Sequence, residues 1–158
     1  MAVLTTDILL EGIRRDAVFE WLGDPNNHRH ILAGVFPDVI ENQTGDFTLS
    51  FQAPAGRKRS MGYHFDKKDD SHGGRRVLVK TTGKRTTGKL HYSLRTMKPS
   101  TNTLVTLHLD YNPGGLLGSL IDSAALRQSL EGYMKSMLTN LVDAIRSDVL
   151  NPAPSRPE

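Results

Sequence analysis

The chain contains no cysteine in its 158 residues. Disulfides, thiol nucleophiles and zinc–thiolate sites are therefore excluded. No apolar run approaches the roughly 18 residues that a membrane-spanning helix needs. The first residues, Met1 to Asp7, lack the basic stretch followed by an apolar stretch that marks a secretory signal, so the expectation is a cytoplasmic protein. Gly114-Gly115 lies between a strand pattern and a helix pattern but lacks the spacing and the lysine of a nucleotide loop. No serine sits in a nucleophile-elbow pattern. The histidines do not assemble a site in the sequence. His28 and His30 are two apart on a helical stretch and point to different sides; His64 is expected to face outward, as are His91 and His108, which fall side by side. Two imidazoles without a third ligand make a poor metal site, so neither metal nor cofactor is expected. No strand directs an Asp, Glu or His inward as a general base, which favours a binding protein over an enzyme.

The composition, 37% hydrophobic and 23% charged, suits a single globular domain large enough to bury a core, over residues 1–150. The Pro-rich stretch 151–158 reads as a disordered tail. The net charge of +3 conceals an asymmetry. Residues 1–56 hold eight acids and three bases; residues 57–98 hold thirteen bases and three acids. Such a segment can dock on anionic membrane or RNA, or can serve as a solvated sheet face whose Lys and Arg block edge pairing.

The hydropathy pattern predicts a strand from Leu4 to Gly12, a short helix from Asp16 to Leu22 capped by Asp16, and a second from Asp24-Pro25 to Leu32. Six further strands follow by period-two alternation. Val35–Asn42 is the first. Phe47, Leu49 and Phe51 then share one face, as do Met61, Tyr63 and Phe65 on the next strand. Val77, Val79 and Thr81 are followed by Leu90, Tyr92 and Leu94, and finally by Val105, Leu107, Leu109 and Tyr111. If the last hairpin turns at Lys98–Thr101, Met97 pairs with Asn102 and Leu94, Tyr92 and Leu90 face Val105, Leu107 and Leu109, with His91 beside His108 and Lys89 beside Asp110. One long amphipathic helix runs from about Gly115 to Val149, its apolar stripe containing Leu116, Leu120, Leu130, Met134, Leu138, Leu141 and Ile145.

This order is an α+β arrangement, a curved seven-stranded antiparallel sheet wrapped around one C-terminal helix. It resembles the START-like, helix-grip (SRPBCC) superfamily, which includes polyketide cyclase/dehydrase-like and lipid-transfer proteins. The wording of Asp16-Ala17-Val18-Phe19-Glu20-Trp21-Leu22-Gly23-Asp24-Pro25 resembles that family's first-helix segment, and Leu109-Asp110-Tyr111-Asn112-Pro113-Gly114-Gly115-Leu116 resembles the entry to its grip helix. The resemblance covers residues 3–149. It implies a cavity between sheet and helix for a hydrophobic small molecule such as a lipid, an isoprenoid or a polyketide. It also admits a cyclase or dehydratase-like enzyme and a ribosome-associated protein.

The candidate ligand-binding residues are the inward side chains Leu49, Phe51, Met61, Tyr63, Phe65, Val79, Tyr92, Leu94, Leu107, Leu109 and Tyr111, with Leu117, Leu120 and Met134 from the helix. They line a pocket or fill a core. The tyrosine hydroxyls need partners when buried and can orient a ligand carbonyl or bond to backbone. Arg127 falls within the apolar stripe with Glu131 one turn on. It either pairs there and meets a ligand anion or turns to solvent. Gly114 and Gly115 are candidate hinges for a gate formed by the apolar stretch from Leu116 to Ile121.

Overall fold

The computed structural model describes residues 2–52, 58–83, 87–111 and 124–150. Strand β1 (Ala2–Leu10) leads into α1 (Arg15–Leu22), a 3-10 turn (Pro25–Asn27) and α2 (His28–Leu32). Strands β2 (Asp38–Gln43), β3 (Asp46–Gln52), β4 (Lys58–Asp69), β5 (Arg75–Thr82), β6 (Thr87–Thr96) and β7 (Thr103–Tyr111) follow, and α3 (Ala124–Leu150) ends the described chain. The seven strands form one sheet in the order β1-β7-β6-β5-β4-β3-β2, every neighbouring pair antiparallel. The α+β architecture expected from the sequence is the one observed.

Local chemistry explains most boundaries. Asp24 accepts a hydrogen bond from the Asn26 backbone N–H at 2.9 Å, and Pro25 opens the 3-10 turn where its missing N–H costs nothing. Asp16 does not cap α1. The cap position is Arg14, with no side-chain hydrogen bond, and Asp16 lies inside the first turn, where its charge favours the helix dipole. The first strand begins two residues before its expected start. The second begins at Asp38 rather than Val35, because Pro37 has no N–H to give to a ladder. Gly45 turns β2 into β3 with φ of 78°, a conformation that a side chain resists. The alternation expected through Asp66 breaks at a bulge between Phe65 and Lys67, which bends β4.

The expected register of the last hairpin is found: Leu90 pairs with Leu109, His91 with His108, Tyr92 with Leu107 and Leu94 with Val105. Met97 donates to the Asn102 carbonyl at 3.0 Å. The inner face of the sheet and the buried stripe of α3, Leu130, Met134, Met137, Leu138, Leu141 and Ile145, form one hydrophobic core with Trp21, Ile31 and Leu32 of the short helices. The helix is tied down along its second half. Asn140 Nδ2 donates to the carbonyls of Ile31 and Ala33, at 3.0 and 2.8 Å, and the Trp21 indole N–H donates to Asp148 at 2.7 Å. The start of the grip helix expected at Gly115 and the tail 151–158 lie outside the described residues.

Candidate functional site

The inward side chains of β3 to β7 come together as expected from period two. Leu49, Phe51, Tyr63, Val79, Tyr92, Leu94, Leu107, Leu109 and Met134 are all buried in the same cluster, and Met61 and Phe65 pack against it half-buried. Leu49, Tyr63, Tyr92 and Leu107 expose none of their surface. Tyr111 lies on β7, but its side chain is outside the described residues, as are the hinge candidates Gly114 and Gly115 and the helix candidates Leu117 and Leu120. Arg127 is half-buried on α3, and of its two readings the pair with Glu131 is not among the ion pairs of the described residues.

The main correction concerns His28. The sequence assigned it no partners, yet it is fully buried and joins the sheet tyrosines in a polar chain. Its Nε2 lies 2.7 Å from the Leu22 carbonyl, its Nδ1 lies 2.6 Å from the Tyr63 hydroxyl, and that hydroxyl lies 2.9 Å from the Tyr92 hydroxyl. A carbonyl can only accept, so Nε2 carries the proton and Nδ1 accepts from Tyr63. The Tyr63 oxygen then accepts from Tyr92. Every proton in the chain therefore points from Tyr92 toward α1. Phe65 closes one side of the imidazole edge-on at 5.1 Å.

Burial lowers the His28 pKa to about 4, against smaller opposing contributions from the Leu22 carbonyl and Asp24. Burial raises both tyrosines, with the neighbouring Tyr92 adding to the rise at Tyr63. At neutral pH the three groups are uncharged, and a low-dielectric interior strengthens the hydrogen bonds that join them.

A second cluster joins Tyr133 of α3 to Phe51 of β3 and to Phe36. Tyr133 stacks on Phe36 at 4.8 Å and meets Phe51 edge-on at 6.4 Å. Met61 sits on the same sheet face, opposite Leu49. Met134 and Met137 belong to the buried core, and Met61 packs against it. Their unbranched thioethers adapt to irregular space more readily than branched aliphatics. A separate open groove of about 330 Å³ runs between Gly34-Val35 and Lys135, Ser136, Thr139 and Asn140 of α3; none of its residues was a sequence candidate.

On the outer face His91 and His108 stack at 4.3 Å, as the register required. Burial lowers both, His91 to about 4 with help from the positive potential of His108 and Arg76. Five bases of the 57–98 segment are held in ion pairs: Lys58 with Asp38, Lys68 with Glu20, Arg75 with Asp16, Arg76 with Asp69 and Lys80 with Asp66. Among the described residues no group of three His, Cys, Asp or Glu is arranged to hold a metal ion, and no helix is long and apolar enough to cross a membrane.

No protein-family model and no curated protein sequence matches the chain. Solved structures do match in fold. The KanY protein superposes with a TM-score of 0.63 at 16% identity, over 92% of this chain and 97% of its own. A conserved protein from Geobacillus kaustophilus gives 0.62 at 13%, over 93% and 97%. The ZhuI aromatase/cyclase from Streptomyces gives 0.59 at 15%, over 94% and 95%. At these identities the likeness is one of fold, and the fold is the helix grip.

Proposed function

We propose that this protein binds a hydrophobic small molecule, of the lipid, isoprenoid or polyketide-like class, between the inner sheet face and α3. The observation that carries the reading is the aromatic cluster of buried Phe36 and Phe51 with half-buried Tyr133, together with half-buried Met61 on the same sheet face. Tyr133 and Met61 are left partly uncovered, and a ligand that covers them gains about 25 cal/mol per Å² of apolar surface removed from water. The methionines yield space at low cost, and the clamped second half of α3 holds the frame while they do.

The test is titration with the fluorescent apolar probe anilinonaphthalene sulfonate, followed by displacement with oleic acid. Saturable binding displaced by the fatty acid supports the reading. Tyr133→Ala should weaken it at least about fivefold, since an aromatic contact of this kind is worth about 1 kcal/mol beyond its buried area. Probe uptake without saturation, or unchanged by Tyr133→Ala, speaks against it.

A second reading, a cyclase or dehydratase-like enzyme, draws on one observation: the His28–Tyr63–Tyr92 chain supplies the interior acid–base group missing from the strand pattern. Turnover of a polyketide-type substrate that is lost in Tyr92→Phe while binding persists would favour it over a carrier. Docking of the basic segment on RNA or anionic membrane has less support, since five of its bases already have acidic partners.

A further inference from the structure

We infer that the outer sheet face carries an acyl-transfer site made of Asp46, His64 and Thr82. His64 on β4 is the register partner of Asp46 on β3, and its Nδ1 is hydrogen-bonded to the Asp46 carboxylate. Its Nε2 lies 3.0 Å from the Thr82 hydroxyl on β5. The carboxylate can only accept, so Nδ1 carries the ring proton of the neutral imidazole and Nε2 is left as acceptor for the Thr82 O–H. A hydroxyl, a base within reach of it and a carboxylate that orients the base are the three parts of an activated oxygen nucleophile, recognised by geometry and not by chain order.

Gly62 makes this arrangement possible. It pairs with Thr82, and a Cβ built on it would lie 2.3 Å from the Thr82 hydroxyl oxygen and 2.4 Å from His64 Nε2. Glycine inside a strand weakens it and marks a place where something approaches closely. Here what approaches is the imidazole, which leans along the strand over the bare backbone to reach the hydroxyl. The His64 and Asp46 side chains remain 37% and 35% exposed, so the nucleophile is open to a ligand from solvent. The charged groups flanking His64 on the neighbouring strands are Asp46 and Lys80.

The chemistry is hydrolysis of small or end-exposed carboxylic esters with a good leaving group. Thr82 Oγ1 attacks the acyl carbon and its proton passes to His64 Nε2. The bond to the leaving oxygen breaks, and the departing alcohol takes the proton from His64. A water, deprotonated in turn by His64, attacks the acyl-threonine, releasing the carboxylic acid and restoring the Thr82 hydroxyl. Asp46 is a positioning residue that holds the tautomer. The site lies on the face opposite the proposed ligand interior and stands or falls independently of it.

The experiment is to incubate the full chain with p-nitrophenyl acetate, follow the nitrophenolate burst and locate the acetyl group by peptide mass spectrometry. Acetyl-Thr82 is expected. Thr82→Val and His64→Gln should each lower the burst rate by roughly 100-fold, and Thr82→Ser should retain it. Asp46→Asn should slow it, with Asp46→Glu restoring part of the rate, a rescue that a purely structural carboxylate would not give. Gly62→Ala, whose methyl pushes His64 and Thr82 apart while all three side chains remain in the sequence, should behave like Thr82→Val. Acetyl found only on lysines, or a Thr82→Val variant as fast as the parent, overturns the assignment.

Discussion

His28 carries the largest single-residue consequence. Its folded pKa of about 4 lies below the ordinary histidine value of 6.5, so the unfolded chain takes up a proton first as pH falls. The stability attached to neutral His28 is complete above about pH 6.5 and is lost from there down to about pH 4, a difference of about 3 kcal/mol. His91 and His108 titrate in the same sense, so a variant is needed to isolate His28. In urea titrations from pH 7 to pH 4, the stability gap between the parent and His28→Gln should narrow by about that amount; a gap independent of pH would contradict the buried neutral imidazole.

Tyr63 stands in the middle of the same chain. Tyr63→Phe leaves both His28 Nδ1 and the Tyr92 hydroxyl unpaired and should cost about 2–4 kcal/mol, against about 1 kcal/mol for Tyr92→Phe, which strands only one acceptor position. The midpoints of denaturant unfolding give the comparison. Neither this chain nor the Asp46–His64–Thr82 group was legible in the sequence. His28 follows a 3-10 turn, and its burial is decided by tertiary packing that no local period reports. The outer triad needs the registers of three strands at once, whereas the inner residues needed only alternation.

Among the elements, α3 is held unevenly. Its second half is anchored through Asn140 to the end of α2 and through Asp148 to Trp21; nearer its start Tyr133 meets Phe51 of β3. Asn140→Ala removes the donor shared by the Ile31 and Ala33 carbonyls, and should destabilise the protein by about 1–2 kcal/mol while speeding hydrogen exchange in α2 more than in β6 and β7. Equal acceleration everywhere would mean that α2 is not separately clamped. The β6–β7 hairpin was readable to the residue because its loop length and its two apolar rows demand the same register. The β2 boundary was not, since apolar Val35 and Phe36 continue a strand-like pattern into residues that in fact turn toward α3, where Phe36 meets Tyr133.

At the scale of the whole molecule the order of patterns determines the grip, and the inner face that period two marks out is the face α3 covers. The charge asymmetry had two readings, and the acids of β2, β4 and α1 that meet the basic strands could not be paired with them before the strand order was known. Function rests on whether the interior yields to an apolar ligand. The chain offers a direct report, because its five methionines include three at the proposed site, Met61, Met134 and Met137, and one, Met97, on the distant β6–β7 hairpin. Methyl spectra of methionine-labelled protein titrated with oleic acid should shift Met61, Met134 and Met137 saturably and leave Met97 in place. Resonances that do not move, or that move only at Met97, would contradict a ligand between sheet and helix.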